Sequence, residues 1–407
     1  MSHERHFSRR DFFKTAGIVG AGSVLAAAGT LPPRSALAAE GKGESARVPT
    51  RPFGKTGAQV SILSLGGMFD IPSNQLLLNQ ALKWGVTYWD TADCYEGGNS
   101  ELGIGQFFSR YPEKRKEVFL VTKSDSRDPK GMTELLDRSL ERMKTDYIDL
   151  YLIHGMKSMD EINTDTKAWA EKAKSQGKIK LFGFSTHSNM EDLLLAAAKL
   201  GWIDGIMTTY NFRVMDSDKM KAAVEACSKA GIGLTAMKTQ GGGWVRNLVE
   251  TDLEMTDRFI KLGFTDKQAK LKVVWEKPEI ASICSQMPNM TILTANIAAA
   301  LNQTKLSAAD LALMQRYASE TASGYCAGCT QICEPTVCGA APIGDILRYL
   351  MYYHSYGDHD RARSLFAQIP TATRDRLLSL DYAMAESSCP QRLPIARLLE
   401  EASIVLG

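Results

Sequence analysis

The run Asp149-Leu150-Tyr151-Leu152-Ile153-His154 decides how this chain is read. Its apolar stretch is strand-length rather than helix-length, which reads as a strand buried on both faces, and it ends on an imidazole. Seven similar runs are spaced along the sequence: Val60–Leu65, Thr87–Thr91 and Val118–Lys123 before it, then Leu181–Thr186, Gly205–Asn211, Gly233–Lys238 and Ala281–Gln286 after it. Helix-length amphipathic segments separate them. Met132–Met143 carries Leu135, Leu136, Ser139 and Leu140 at helical spacing, and Ser217–Lys229 carries Met220, Val224 and Cys227 on one face. Eight βα units in about 250 residues predict an α/β fold, a (β/α)8 TIM barrel over 51–304, with chemistry at the C-terminal ends of its strands. A doubly wound open sheet competes, but no Gly-x-Gly-x-x-Gly turn follows the first strand.

Polar residues collect where these strands end. Asp90 and Tyr95 follow the second strand, Lys123 closes the third and His154 closes the fourth. On a barrel such positions converge on one face. Hydride addition to a carbonyl needs an acid for the nascent alkoxide, and a phenol beside an ammonium can serve. In this reading Tyr95 donates the proton, Lys123 lowers its pKa, Asp90 pairs with Lys123, and His154 orients the carbonyl. The reading without chemistry is a structural Lys123–Asp90 ion pair and a satisfied core histidine.

Asp90-Thr91-Ala92 with Tyr95, Ser100-Glu101-Leu102-Gly103, Val121-Thr122-Lys123 and Asp149 to His154 occur in that order. Together they resemble the aldo-keto reductase family from about Arg51 to Ala300. The resemblance implies an oxidoreductase that reduces a carbonyl or oxidises an alcohol of a small-molecule substrate, with hydride exchanged through NAD(P). It puts Ser185, Asn211, Lys238 and Asn296 on the cofactor side. Three features depart from the family pattern. Met207 stands where its amide-holding Gln is expected, and Lys238 stands where many members carry a stacking aromatic. The loop Met287-Pro288-Asn289-Met290-Thr291 has no basic residue for a 2′-phosphate, a contact that normally takes Arg or Lys. A non-catalytic scaffold barrel is the alternative from another class.

Of eight cysteines, Cys326, Cys329, Cys333 and Cys338 share one short segment, and Cys389 directly precedes Pro390. The Cys326-x2-Cys329-x3-Cys333 spacing with a remote Cys-Pro resembles ferredoxin-type ligation, in which three clustered thiolates and one distant thiolate hold a cube. This predicts one 4Fe-4S cluster on Cys326, Cys329, Cys333 and Cys389, as electron relay or structural element. An electron-transfer partner would follow from the relay. A second cluster is not expected, because Ala385-Glu386-Ser387-Ser388 lacks the further cysteines it would need. Zinc, disulfides, and Cys338 as fourth ligand remain open. A helix at Leu306–Ser319 would lead into a mostly helical domain over 305–407, with further helical stretches at Ile343–Tyr353 and Arg361–Phe366.

Ser8-Arg9-Arg10-Asp11-Phe12-Phe13-Lys14, the weakly apolar Thr15–Leu31 and Ala36-Leu37-Ala38 have the order of a signal peptide. The arginine pair resembles the twin-arginine type. The expectation is a signal over 1–38, a polar linker over 39–50, and a periplasmic protein delivered by the twin-arginine translocase, a route that carries folded, cofactor-loaded proteins. An N-terminal helix of the fold is the competing reading. The first 38 residues hold five basic and two acidic side chains, so a total of +2 falls to about −1 on cleavage. Near-neutrality without long basic runs gives no electrostatic case for nucleic acid. No apolar run outside the N-terminus reaches membrane-spanning length. The periplasm has no evident pool of free nicotinamide nucleotide, so the cofactor is expected either to be bound before export or to be replaced as donor by the cluster.

Overall fold

The computed structural model describes residues 46–244 and 249–407. The expected signal, 1–38, and residues 39–45 of the expected linker lie outside the described residues. Thr50–Pro52 (β1) and Gln59–Ser61 (β2) pair as an antiparallel hairpin. Eight parallel strands follow: Leu63–Gly66 (β3), Tyr88–Asp90 (β4), Phe119–Ser124 (β5), Ile148–Ile153 (β6), Ile179–Thr186 (β7), Gly205–Thr209 (β8), Gly233–Met237 (β9) and Ile280–Gln286 (β10). They close in sequence order, with β10 returning to β3. The barrel is therefore as expected, apart from its first strand. The expected strand over 60–65 is divided between β2 and β3 at Ile62. Ser61 Oγ makes the break tolerable, donating to Leu63 O at 2.7 Å and accepting from the Thr87 and Tyr88 amides at 3.1 Å.

The hairpin plugs the N-terminal end of the barrel. Phe53 is fully buried against Tyr88 and Phe119, ring centres 6.4 and 5.4 Å away. Gly205 and Gly233, which start their strands, lie so close that a Cβ on either would come within 2.7 or 2.4 Å of that ring. Above it Val60, Val121, Leu150, Leu152, Met207, Met237 and Ala281 fill the interior, a packed core rather than a pore. Met207, read as a lost cofactor contact, is a core residue here.

The two ends of β6 divide its motif by role. Asp149, near the N-terminal end, accepts from Arg115 at 2.9 Å, from Lys180 at 2.8 Å and from the Leu120 amide at 3.0 Å, so it ties the barrel floor. His154 lies just past the other end, on the face that carries chemistry in such barrels.

The C-terminal region is helical, as expected, but its core begins later than residue 305. The helix Ala308–Glu320 packs Leu313 and Met314 into the barrel's outer core. A separate apolar cluster runs from Val337 to Leu406, built around the helices Ile343–Met351, His359–Ala367 and Ile395–Leu406. The segment between the two cores is strapped to the barrel mouth. Gly328 O accepts from the Asn189 amide at 2.8 Å, and a Cβ on Gly328 (φ +78°) would meet His187 O at 2.2 Å, so only glycine fits. Among the described residues no helix is long and apolar enough to cross a membrane.

Candidate active site

Asp90 and Lys123 are buried at the ends of β4 and β5, 2% and 1% exposed. Tyr95 begins the short turn Tyr95–Gly98 beyond β4. Lys123 Nζ donates to Asp90 Oδ1 at 2.6 Å, to Thr91 O at 2.7 Å and to the Tyr95 hydroxyl at 3.3 Å. All three ammonium protons are thereby placed. Asp90 Oδ2 accepts a hydrogen bond from the Cys284 thiol at 3.5 Å, and burial raises the pKa of that thiol. The His154 ring meets Tyr95 edge-on at 5.7 Å, and its Nδ1 lies 2.8 Å from Asp125 Oδ1. With Nδ1 so engaged, Nε2 is the nitrogen left for a substrate. The four residues picked from the strand ends are thus brought together.

Their electrostatics differ from the sequence reading in one respect. Burial lifts the Tyr95 phenol above its usual value; Lys123 works against this, and Asp90 adds to it. The expected acidification by Lys123 does not prevail, because burial of the phenol outweighs it and Asp90 adds to the burial. Burial alone would lower the Lys123 pKa, but Asp90 and Tyr95 hold it above the ordinary lysine value. Burial opposes ionisation of Asp125, yet its hydrogen bond to His154 keeps the carboxyl below the usual range.

Part of the quoted motif is scaffold. Ser100 Oγ bonds Thr91 Oγ1 and Gly67 O, both at 2.6 Å. Glu101, fully buried, accepts from Thr122 at 2.7 Å and from Arg142 at 3.1 Å. These contacts fix the turn that carries Tyr95 and the strand that carries Lys123 without reaching the phenol.

The cofactor-side residues are spread along the mouth instead of converging. Ser185, on β7, accepts from the Gly155 amide at 3.0 Å. Asn211, beyond β8, donates to Lys238 O at 3.1 Å and to the Tyr325 hydroxyl at 3.0 Å. Lys238 stands past β9 with φ +58°, its ammonium 4.6 Å from the centre of the Tyr352 ring. Asn296 donates to Ser285 at 3.0 Å. A cleft of about 650 Å³, counting space at its open mouth, lies over β7 to β9. His187, Thr209, Lys238 and Trp244 face it from the barrel, Tyr325, Cys326 and Arg348 from the C-terminal region. Burial, then the charges of Arg348, Lys238, His154 and Lys123, hold the His187 pKa well below its usual value, so its imidazole is neutral. No basic residue stands among 287–291 to receive a 2′-phosphate.

Cys326, Cys329, Cys333 and Cys389 line a second, smaller cavity walled by Ile332, Ile343, Leu347, Leu393 and Ile395. Cys338 is exposed and lies outside that lining. All eight thiols are free of disulfides. Burial, with Glu334 beside Cys333 and repulsion between neighbouring thiolates, pushes Cys326 and Cys333 up to about 12. Cys326 lines both cavities.

Sequence reasoning missed Asp125, His187, Tyr325, Arg348 and Arg361. His187 carried a usable signal, since it directly follows a strand-end Thr186. The last three reach the mouth only through the packing of the C-terminal helices.

A closed eight-stranded parallel barrel with an Asp–Tyr–Lys–His set at its C-terminal face defines a class of reductase. The profile of the aldo/keto reductase family matches residues 63–319, well over half of the chain, and the chain belongs to that family of oxidoreductases. An uncharacterized oxidoreductase of Bacillus subtilis is 33% identical over 151 residues, covering 33% of this chain and 48% of that protein. A Schizosaccharomyces pombe aldo-keto reductase whose name carries NADP(+) is 28% identical over 217 residues, covering 49% and 63%. The chain thus spans about half to two thirds of the length of these curated relatives. A thermostable aldo-keto reductase solved with the inhibitor epalrestat superposes with a TM-score of 0.55 at 26% identity, over 66% of this chain and 99% of its own. An aldo-keto reductase of Bacillus halodurans in its holo form superposes equally well at 21% identity, over 66% and 96%.

Proposed function

We propose that the protein reduces a carbonyl, or oxidises the corresponding alcohol, of a small molecule at Tyr95. The observation that carries this reading is the three-way donation of Lys123 to Asp90, Thr91 O and the Tyr95 hydroxyl beside His154. In reduction, Tyr95 passes its proton to the carbonyl oxygen as negative charge develops there. Lys123, donating to that hydroxyl, stabilises the phenolate left behind, and Asp90 keeps the buried ammonium charged. His154, oriented by Asp125, hydrogen-bonds the same oxygen and so aligns the carbonyl.

A nicotinamide nucleotide would supply hydride to the carbonyl carbon when bound. His187, Thr209 and Lys238 would face its ring in the larger cleft, with Ser185, Asn211 and Asn296 exchanging their internal partners for it. One 4Fe-4S cluster on Cys326, Cys329, Cys333 and Cys389 would supply single-electron chemistry, and the position of Cys326 between the two cavities supports a relay over a purely structural role. That relay implies an electron-transfer partner. Anaerobically purified protein should hold roughly four irons and four sulfides per chain, with broad visible absorption and bleaching on reduction. Zinc, or no metal, would end the cluster reading. A nucleotide released on acid denaturation would identify the hydride donor.

The proposal includes export by the twin-arginine translocase to the periplasm, supported by Arg9-Arg10, Phe12 and Lys14 ahead of the apolar stretch. Replacing Arg9 and Arg10 by Lys should leave folded precursor in the cytoplasm. Fractionation showing undiminished periplasmic protein in a strain without the translocase would contradict this.

A further inference from the structure

The C-terminal region places one charged side chain at Tyr95 that neither the four barrel residues nor the cysteines use. Arg361, on the helix His359–Ala367, lays its guanidinium 5.5 Å from the centre of the Tyr95 ring. Its Nε is buried and has no hydrogen-bond partner. Its Nη1 approaches Glu96 Oε1 only to 3.5 Å, long for a charge-assisted bond, which runs about 2.7–2.9 Å. Glu96 sits in the turn beyond Tyr95 with φ +52° and is exposed. A buried donor without an acceptor is rare in folded proteins.

Among the described residues the other cations facing the cleft or Tyr95 are committed. Lys123 is neutralised by Asp90 at 2.6 Å, and Arg348 by Asp345 at 2.7 Å. Lys238 is spent on Tyr352, whose phenol burial would raise but which Lys238 and Arg348 hold below its usual value. Arg361 is therefore the cation beside Tyr95 with donor capacity to spare, on a planar fork shaped for a carboxylate.

We infer that Arg361 recognises the carboxylate of a short oxo acid whose carbonyl oxygen lies on the Tyr95 hydroxyl. The inference rests on Tyr95 being the proton donor, and it names the substrate class: an acid group on the carbon next to the carbonyl. Such a substrate would set its carboxylate side-on to the guanidinium, one oxygen on Nε and the other on Nη2, and so pair the buried donor; a neutral carbonyl compound leaves Nε without a charged acceptor. A site built this way rejects the analogue that lacks the group it was made to bond.

Phenylglyoxylate and its methyl ester share carbonyl and ring and differ in the charge, so they serve as probes for calorimetric titration of the full, anaerobically prepared protein. The wild type should bind the acid more tightly than the ester. R361Q should weaken the acid by about 10- to 100-fold, the range expected for losing a charge-assisted pair, and leave the ester within about two-fold. R361K should fall between. E96Q, which removes the neighbouring negative charge, should tighten the acid, and it decides the matter if R361Q melts early. Equal binding of acid and ester by the wild type, equal loss of both in R361Q, or weaker acid binding in E96Q would overturn the assignment. Failure of the reductase reading looks different: the binding pattern would persist while Tyr95→Phe turned over at the parental rate.

Discussion

Tyr95→Phe should reduce carbonyl substrates about 10²- to 10⁴-fold more slowly than the parent, the usual contribution of a positioned general acid. The variant keeps the ring and loses the transferable proton. Its fold should hold, because Lys123 retains Asp90 and Thr91 O when the hydroxyl goes. Lys123→Met would be a poorer experiment. It leaves the Asp90 carboxylate buried without its partner, at a cost of about 3–5 kcal/mol that confuses chemistry with stability. The lifted pKa of Tyr95 gives the pH dependence its sign: the phenol stays protonated through the neutral range, so kcat/KM should not fall on its account until above about pH 10, the ordinary phenol value. Parental turnover in Tyr95→Phe, or a Tyr95-dependent decline between pH 7 and 9, would count against Tyr95 as the acid.

Cys389→Ser should abolish the visible absorption and iron content, and Cys338→Ser should leave both intact. Spacing alone left the fourth ligand open between these two. The cavity separates them, since Cys389 lines it with Cys326, Cys329 and Cys333 while Cys338 is exposed outside it. A cube needs one thiolate per iron, so the three clustered variants should behave like Cys389→Ser. Cys326, Cys333 and Cys389 also pack against the C-terminal apolar cluster, so cluster loss should lower the thermal midpoint of that region before it touches the barrel. Iron retained in Cys389→Ser and lost in Cys338→Ser would reverse the assignment.

The barrel was legible because each inner strand is a short apolar run with a polar residue at its mouth end, and both signals are local. The break at Ile62 was not, because a serine side chain bonding two amides of the next strand leaves no periodicity to read. The same contrast divides the site. Asp90, Tyr95, Lys123 and His154 could be chosen from their distance to strand ends. Asp125 could not be told from other loop aspartates until the fold put it on His154. Lys123 and Tyr95 were paired correctly, but the sign of the phenol's shift depended on burial, which a sequence does not state. Arg361 and Tyr325 carried no signal, since nothing within their own helix or loop fixes where they point.

The strap between Gly328 O and the Asn189 amide, with Tyr325 on Asn211, bears on the order in which the protein becomes competent. Tyr325 and Gly328, which finish the barrel mouth, follow the last barrel strand in the chain and are synthesised after it. A nascent chain can therefore complete its strands and helices while its mouth still stands open to water, and it gains a finished site only when the thiol-bearing segment docks. Folding of the barrel and completion of its mouth are thus separable events in its biogenesis.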